Sequence, residues 1–369
     1  MKKLRFITLV ISLLLCAGMT AGCKKRQDPE SYLNQELQRI RSGKADVYEK
    51  ILQDELAQEE IKDFPDELEK AYSSFLKEVY KNIRYEAGEV KEESKGNFRA
   101  EVSVEPLNLS GTVAPIHEDS MKNMQSDNLA TQVKEMMLLD QDQLSQSVYE
   151  SPVTVWIRLT WDSGKEAYVL NENDYMEFLD KAVIDKLAVY DDVAEIFDIK
   201  EYVQACLDAS FKGEFEEYCR QTGLTEEEAR EEYESSFWDE GMDSAGFSEE
   251  EKTKMISSMK KIASASAYTV SLPKKEDDFY LVPVKGTENL SLKKALKEIE
   301  DKAASGDAGD EEAMRKLFLD TFRKYAEAPV MGETFQTEVH VSVDSGHLLS
   351  ITQEDSRALA EKLLPQADE

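Results

Sequence analysis

One segment of the chain alternates strictly between apolar and polar residues, which is the pattern of a strand that buries one face. Its apolar positions are Val153, Val155, Ile157, Leu159 and Trp161. Asp162-Ser163-Gly164 follows at once and predicts the turn of a hairpin. Shorter alternations predict another hairpin upstream, with a polar loop at 91–97.

Apolar residues three and four positions apart predict amphipathic helices between these strands. The clearest helix has Leu68, Tyr72, Phe75, Leu76, Val79 and Ile83 on one face. Other helices are predicted near 30–41, 44–58, 121–147, 199–211, 214–220 and 310–327, with closing helices near Asn173 and Glu354. Helices and hairpins therefore alternate along the chain.

The same elements occur twice in the same order. Residues 155–164 match 337–346 at a constant offset of 182, and Glu172 matches Glu354 at that offset. Further matches continue upstream, and the offset changes only in predicted loops. Collinear matches of this kind predict a tandem duplication.

We therefore predict an α+β fold built as two tandem copies, 31–195 and 196–369. Each copy is predicted to form a four-stranded antiparallel sheet of two hairpins with helices packed on one face. At about 170 residues, each copy is long enough to bury its own core. Pro283 lacks the N–H that a ladder bond needs, so its strand is predicted to be an edge. The second copy carries an insertion between Gly223 and Phe247.

Residues 1–22 form a predicted export signal. Three basic residues precede an apolar run that starts at Phe6, and small residues stand before Cys23. Thr20-Ala21-Gly22-Cys23 resembles the lipobox of bacterial lipoproteins, in which the Cys thiol receives a diacylglyceryl group and the preceding peptide bond is cleaved. The match departs at Thr20, where Leu is usual.

The lipobox resemblance implies lipid attachment at Cys23 and a basic tether at 23–30. It also implies a location on the extracytoplasmic face of the cell membrane. Two acyl chains would give stable attachment, whereas one chain gives only marginal binding. The alternatives are an uncleaved N-terminal anchor and a soluble secreted product.

Net charge restricts the partners that we expect. The full chain has a net charge of −31, and removal of residues 1–22 with their three basic side chains leaves −34. This charge repels nucleic acid, so no nucleic-acid partner is expected. It also repels an anionic lipid surface, so we expect only the lipid and the basic tether to contact the membrane. With 33% charged and 41% hydrophobic residues, the body is expected to be globular.

One segment of the second copy carries a family resemblance. It is Tyr202-Val203-x-Ala205-x-Leu207-Asp208-Ala209-x-Phe211-Lys212-Gly213-Glu214-Phe215, followed by Thr222-Gly223-Leu224-Thr225-Glu226-Glu227-Glu228. With the Cys-anchored N-terminus, it resembles uncharacterised surface lipoproteins of Gram-positive anaerobes, of clostridial type, that carry a duplicated domain of unknown function. The first copy matches weakly, with Ala45 in place of Phe215. The resemblance implies location and fold and no particular chemistry.

Motifs for catalysis and metal binding are weak. The three His residues lack zinc-ligand spacing, although His340 and His347 flank one predicted turn, and exposed His is the simpler interpretation. Ser257-x-x-Lys260 has the spacing of a Ser/Lys dyad, but the companion motifs of such enzymes do not occur in the sequence. We predict no catalytic residue, no metal site and no cofactor.

Cys206 and Cys219 are the two Cys residues of the predicted mature body. They lie symmetrically about Lys212-Gly213, and a helical turn at this Gly would let the thiols meet. The predicted compartment permits a disulfide between them. The alternative is two small buried residues, since the corresponding positions of the first copy are Glu36 and Glu49.

Three aromatic residues are predicted to be exposed. Trp156 falls on the polar face of its strand beside Arg158, and Phe237 and Trp238 fall in the insertion of the second copy. Because solvent-facing Trp is a frequent contact residue, Trp156, Arg158 and Trp238 are the predicted binding surface. The alternative is that these rings pack against a loop, the other copy or their own domain.

The sequence thus favours a lipid-anchored binding protein of the bacterial envelope over an enzyme. The expected partner is a peptide, glycan or protein of the envelope, bound by an exposed sheet face or between the copies. One alternative is an envelope hydrolase with catalytic carboxylates that the sequence does not identify. Another is the solute-binding lipoprotein of a transporter, whose lobes usually contain parallel sheets.

Overall fold

The structure is a computed structural model that describes residues 27–61, 64–237, 246–276, 278–305, 310–344 and 348–366. The chain divides into two compact units. Unit 1 contains the described residues up to Pro115 and those from Met137 to Val189, and unit 2 contains Ile116–Met136 and the described residues from Tyr190 onwards. The copy boundaries at 31–195 and 196–369 stay a prediction.

The first half of the chain contains six α-helices and eight strands among its described residues. They are α1 (Pro29–Arg41), α2 (Tyr48–Gln58), α3 (Asp66–Tyr80), β1 (Arg84–Ala87), β2 (Lys91–Ser94), β3 (Asn97–Glu105), β4 (Leu107–Asn108), α4 (Leu109–Lys122), α5 (Leu129–Gln143), β5 (Val148–Tyr149), β6 (Val153–Asp162), β7 (Ala167–Leu170), α6 (Glu172–Ala182) and β8 (Val183–Ile184). Sheet 1 has the order β1-β3-β6-β7, with β2 also paired to β3, and every pair is antiparallel. A small sheet, β5-β4-β8, joins β4 and β8 in parallel.

The inner face of sheet 1 forms a core with helix α6, which in turn contacts α3. Its buried residues are Ala100, Val102, Val104, Val155, Ile157 and Leu159. Tyr80 is fully buried, and its hydroxyl donates to the carbonyl of Leu179 on α6 at 2.8 Å. Burying each large apolar side chain contributes about 1.5–3 kcal/mol, which is why the alternating face turns inward.

The second half of the chain continues with a further set of helices and strands. They are α7 (Ala188–Leu207), a π-helical turn (Asp208–Lys212), α8 (Glu216–Thr222), α9 (Glu226–Ser235), α10 (Glu249–Ser264), β9 (Ala267–Val270), β10 (Lys274–Lys275), β11 (Tyr280–Asn289), α11 (Ser291–Ala304), α12 (Glu311–Glu327), β12 (Met331–Val343), β13 (Leu349–Ile351) and α13 (Gln353–Leu363). Sheet 2 has the order β10-β11-β12-β13, with β9 also paired to β11, and every pair is antiparallel.

The core of unit 2 lies between sheet 2 and helices α7 and α13. Val282, Val284 and Val341 on the sheet pack with Val203 of α7 and Leu363 of α13. All five side chains are fully buried. The buried residues on the inner faces of both sheets are therefore mainly aliphatic, and sheet 2 also buries Tyr280.

Helices α9 and α10 start with complete capping boxes. The Thr225 hydroxyl accepts from the Glu228 backbone N–H while the Glu228 carboxylate accepts from the Thr225 N–H, and Ser248 and Glu251 repeat the arrangement. Each box satisfies backbone donors that the first turn of a helix leaves free. The acidic runs at these starts are thus explained by helix formation.

The α+β prediction, with an antiparallel sheet and packed helices in each unit, is confirmed. Each sheet has five strands rather than four, because the first strand of each upstream hairpin is interrupted. In sheet 1 the second piece is β2, which lies in the predicted polar loop 91–97. Helices α4 and α11 were not predicted, and Pro115 lies inside α4. The predicted helix 121–147 is broken at 123–128 between α4 and α5.

The prediction that Pro283 lies on an edge strand is wrong. Strand β11 is central, with β12 on one side and β9 and β10 on the other. Pro283 is opposite Ser271, which lies in the interruption between β9 and β10, and the Ser271 N–H donates to the Pro283 carbonyl at 2.9 Å. A proline is tolerated here because the neighbouring strand is already interrupted at Ser271. Only the bond from the Pro283 nitrogen to the Ser271 carbonyl is missing, since proline has no N–H.

The match of Glu172 with Glu354 is also corrected. The closing helices α6 and α13 are 11 residues each and start at Glu172 and Gln353, an offset of 181. Their N-cap residues, Asn171 and Thr352, have the same offset. The hairpin is one residue tighter in sheet 2, because Trp161 pairs with Tyr168 seven residues later whereas the matching Val343 pairs with Leu349 six residues later. This accounts for the change of offset.

Candidate functional site

Trp156 lies on the outer face of sheet 1 and is 43% exposed. Its cross-strand neighbour is Glu101 of β3, and the Glu101 carbonyl accepts from the backbone N–H of Gly88 at 2.8 Å. Gly88, Glu101 and Trp156 therefore form one row across the sheet. Because Gly88 has no side chain, this row of residues is open at the edge of the sheet. A Cβ atom at position 88 would lie 3.1 Å from the Glu101 carbonyl oxygen, which is a tight contact.

This opening is part of a depression of about 440 Å³, which we call the Trp156 depression. It is lined by Glu86, Gly88, Glu89, Lys91, Glu93, Arg99, Glu101, Ser103 and Trp156. The lining combines one indole ring, four carboxylates, two cations and one hydroxyl. Such a surface can stack against a flat or aliphatic group and bind its charged end.

The cations of the Trp156 depression are already engaged. The Arg99 guanidinium carbon lies 3.8 Å from the centroid of the Trp156 ring, and Arg99 Nη1 lies 3.6 Å from Glu93 Oε1. Lys91 Nζ lies 4.0 Å from Glu89 Oε2. Among the described residues, no cation forms an ion pair with Glu86 or Glu101. The depression therefore has two uncompensated carboxylates beside an exposed indole.

Arg158 is two residues from Trp156, but it is tied to helix α6. Its Nε and Nη2 donate to Asp174 at 2.7 and 2.6 Å, and its backbone N–H donates to the same carboxylate at 2.9 Å. These hydrogen bonds lower the pKa of Asp174 and raise the pKa of Arg158. Because bidentate ion pairs fix the guanidinium, Arg158 mainly holds the closing helix to the sheet.

Sheet 2 has a different row at the corresponding place. Ser271 is opposite Pro283, and Pro283 is paired with Glu338. Glu338 stands where sheet 1 has Trp156, and Pro283 stands where it has Glu101. An exposed indole in an open depression is therefore a feature of sheet 1 at this row.

The structure leaves the other predicted site residues in separate places. Cys23 and Trp238 lie outside the described residues, so lipid attachment at Cys23 and binding by Trp238 stay predictions. Phe237 was predicted to be exposed, but it is buried, and its ring centroid is 4.8 Å from that of Tyr233 on α9. The insertion thus uses Phe237 for packing rather than for contact with a partner.

Cys206 and Cys219 are free thiols in the structure, and both are partly buried. Cys206 lies on α7, and burial raises its pKa to about 11. Cys219 lies on α8 beside Tyr218 and contributes to a small apolar cluster with Phe215. The disulfide stays a prediction, and a thiol with a raised pKa is a weak nucleophile.

The His residues do not share a site among the described residues. His117 of α4 is buried rather than exposed, and its Nδ1 pairs with the Asp192 carboxylate of α7. His340 Nδ1 pairs with Asp355 of α13 at 3.0 Å. His347 lies outside the described residues. No group of three or more metal-ligating side chains converges in the part of the chain that the structure describes.

Ser257 and Lys260 both lie on α10, but no hydrogen bond joins them. Lys260 Nζ instead lies 2.6 Å from Glu234 Oε1 on α9. The Lys260 ammonium is therefore positioned by a carboxylate of another helix and not by Ser257. The two residues do not form a nucleophile and its base.

Sequence reasoning identified Trp156 but missed Gly88, Arg99 and Glu101. The alternation in β3 places Arg99 and Glu101 on the polar face, so this pattern could have pointed to both. Nothing local pairs Gly88 with Glu101, because that contact depends on the register between β1 and β3. The depression itself is therefore a product of strand pairing.

Comparison with known proteins found one similar solved structure and no matching protein family. No protein-family model and no curated protein matches the chain. A crystal structure of a proposed lipoprotein, YcdA of Bacillus subtilis, matches at 13% identity with a TM-score of 0.37. The match covers 77% of this chain and 97% of that chain. Within the described residues no helix is long and apolar enough to span a membrane.

Proposed function

We propose that the protein is a lipid-anchored binding protein of the bacterial envelope, and that the Trp156 depression binds a cationic polypeptide. The observation that carries this proposal is the exposed indole beside the uncompensated carboxylates of Glu86 and Glu101. Aromatic side chains that keep an exposed face are common anchors at protein interfaces. The carboxylates supply charge complementarity for a Lys or Arg side chain of the partner.

The net charge of the whole chain supports the same class of ligand. A body with a net charge of −34 attracts cations over distances up to the Debye length, which is about 8 Å at physiological ionic strength. Basic partners are therefore concentrated near the surface before they contact the depression. Anionic glycans and nucleic acids are repelled by the same field.

The anchor rests on the N-terminal sequence. Thr20-Ala21-Gly22-Cys23 after an apolar run provides the thiol for acylation, and the following basic residues favour lipid head groups. We expect radiolabelled palmitate to enter the wild-type protein and not the Cys23→Ser variant. Equal labelling of both proteins would disprove acylation at this residue.

The two units are proposed to be products of a tandem duplication. Arg99 pairs with Arg158 in sheet 1 and Leu281 pairs with His340 in sheet 2, so both partners differ by 182 residues. The order of pairing is the same for all five strands of each sheet. A shared register of this kind is a simple consequence of one ancestral hairpin pair that was copied.

The two alternative functions have less support. Both large sheets are antiparallel throughout, whereas a transporter's solute-binding lobes usually contain parallel sheets. Partial desolvation raises the pKa of Asp198 and Glu201 on α7, as a hydrolase carboxylate would need. However, both side chains are exposed and neither lines the Trp156 depression.

Binding can be tested with the full-length protein in detergent and a fluorescent oligolysine, with an uncharged glycine-serine peptide of equal length for comparison. We expect oligolysine to bind and the uncharged peptide to remain free. Trp156→Ala should weaken binding more than tenfold, because truncation of an anchor residue typically costs at least about 2 kcal/mol. Glu101→Gln should weaken it by about fivefold, since it removes one uncompensated charge.

Matched controls separate this site from a general charge effect. Leu138→Ala removes another exposed apolar side chain of unit 1, and Glu338→Gln removes a carboxylate at the corresponding place in sheet 2. Both should bind oligolysine like the wild-type protein. If Glu338→Gln weakens binding as much as Glu101→Gln, the attraction belongs to the whole acidic surface. Binding of amino-sugar oligomers instead of oligolysine would contradict a polypeptide ligand.

A further inference from the structure

A second depression, of about 560 Å³, lies in unit 2 between the π-helical turn and helices α9 and α10. Four cations line it, Lys212, Arg230, Lys260 and Lys261, with a single carboxylate, Glu234. This is a local reversal of sign in a chain that has 76 acidic and 45 basic residues. We call it the Lys261 depression.

One face of α10 supplies its polar wall. Ser257, Lys260, Lys261 and Ser264 all line the depression, and their spacing of three, four and seven residues places them on one side of a helix. No described carboxylate forms an ion pair with Lys261, and the Ser257 hydroxyl has no hydrogen bond to another described residue. Lys261 and Ser257 therefore present unused donors to solvent within the depression.

The other three cations have carboxylate partners, which position them. Lys212 Nζ lies 2.5 Å from Asp208, Arg230 Nη2 lies 2.5 Å from Glu226, and Lys260 Nζ lies 2.6 Å from Glu234. Of these carboxylates only Glu234 lines the depression. An ammonium has three donors and a guanidinium has five, so each partnered cation keeps donors for a ligand. Lys261 contributes the uncompensated charge.

Aromatic rings form the apolar part of the same depression. Phe215 and Tyr233 are buried and contact each other with ring centroids 5.6 Å apart. Arg230 lies over the Phe215 ring at 5.9 Å and Lys260 over the Tyr233 ring at 5.5 Å. These contacts hold Arg230 and Lys260 over buried aromatic rings. The entropic cost of ordering these two side chains on ligand binding is therefore reduced.

Unit 1 lacks this arrangement. Helix α9, which supplies Arg230 and Glu234, has no counterpart among the described residues between α2 and α3. Helices α3 and α10 start at Asp66 and Glu249, an offset of 183. At this offset the position of α3 that matches Lys261 is Glu78, which forms an ion pair with Lys81 at 2.6 Å. Unit 2 therefore differs from unit 1 in two ways at this place. It has the additional helix α9, and it has Lys261 where unit 1 has Glu78.

We propose that the Lys261 depression binds a phosphate group. A phosphate oxygen cluster can accept from the Lys261 ammonium and the Ser257 hydroxyl together, with Arg230 across the depression, and charge-assisted bonds of this kind are the strong ones. The phosphate can belong to a soluble molecule or to a phospholipid head group. This site is independent of the Trp156 depression and takes a ligand of opposite charge.

The test is calorimetric titration of the full-length protein in uncharged detergent. One arm uses inorganic phosphate, and a second uses glycerophosphoglycerol, the deacylated head group of phosphatidylglycerol. Binding of phosphate alone indicates a soluble ligand, and preference for the phosphodiester indicates a lipid head group. If neither binds, the proposal is wrong.

Variants locate the binding. Lys261→Ala should weaken it about tenfold and Ser257→Ala about threefold, in proportion to the strength of charged and neutral hydrogen bonds. Both side chains are exposed on α10, so folding should be unaffected. Lys254→Ala is the matched control, because Lys254 lies on the same helix outside the depression and pairs with Glu250. An equal loss in Lys254→Ala, or no loss in Lys261→Ala, would refute the site.

Discussion

Sheets 1 and 2 share strand order, pairing and register, yet their outer faces carry different chemistry. The row Gly88, Glu101 and Trp156 in sheet 1 corresponds to Ser271, Pro283 and Glu338 in sheet 2. The buried residues of the inner faces are mainly aliphatic in both. The comparison shows that a buried face fixes the register, whereas the exposed face is free to change because its side chains contribute little to stability.

The closing helices show which polar contact is common to both units. Asp174 of α6 accepts from the backbone N–H and side chain of Arg158, and Asp355 of α13 accepts from the backbone N–H and ring of His340. The partner changes from a guanidinium to an imidazole, but the acid and the backbone bond remain. The bond to the strand backbone is therefore the shared element, and the side-chain partner is variable.

The largest expected effect on stability comes from replacing a glycine that has positive φ, and its size should differ between the two units. Gly213 and Gly43 both have positive φ, +69° and +66°, and a Cβ at Gly213 would lie 2.9 Å from the Tyr233 ring. Gly213→Ala should lower the free energy of unfolding by about 2–4 kcal/mol, from backbone strain and overpacking together. Gly43→Ala meets only flexible Lys ends and should cost about 1–2 kcal/mol. Urea unfolding measures both, and equal losses would contradict the role of the Tyr233 ring.

The two helix acids provide the next comparison. Asp174→Ala should lower the free energy of unfolding by about 1–3 kcal/mol, because the Arg158 backbone N–H loses its acceptor. Asp355→Ala should cost less, since its side chain is 20% exposed against 9% for Asp174, and water can replace the lost bond. A larger loss for Asp355→Ala would reverse the interpretation.

The pH dependence of unfolding tests the same carboxylate. Hydrogen bonds from Arg158 lower the pKa of Asp174 in the folded state. Its stabilisation is therefore complete above the unfolded pKa, about 3.9, and is lost as the pH falls from there through the lower folded pKa. Asp174→Asn should flatten the acid limb of the stability curve measured between pH 2 and 5. An unchanged acid limb would show that other carboxylates dominate.

The smallest effect on stability is expected at Trp156. Trp156→Ala should lower the free energy of unfolding by about 1 kcal/mol or less, because the ring lies on the outer face and loses only a surface contact with Arg99. The same variant is expected to lose oligolysine binding, so stability and binding separate at this residue. Destabilisation comparable with that of Asp174→Ala would mean that Trp156 serves the fold.

Much of the fold was predictable because periodicity follows from burial. The alternation in 153–161 and the spacing in Leu68–Ile83 each reflect one face that avoids water, and the structure has β6 and α3 at these places. Errors arose where a neighbouring strand decided the outcome. Pro283 is central because β9 and β10 are interrupted opposite it, and no local pattern of β11 reports that interruption.

The sequence by itself determined the α+β class, the repeated order of the elements and the exposure of Trp156, since each depends on the burial preference of residues close together in the chain. Only the tertiary structure decided that Gly88 opens a depression beside Glu101, that Asp174 holds Arg158, and that Phe237 is buried. It also brought Lys261 and Arg230 together from separate helices. These contacts join residues distant in sequence, and their geometry depends on register and packing that no local pattern encodes.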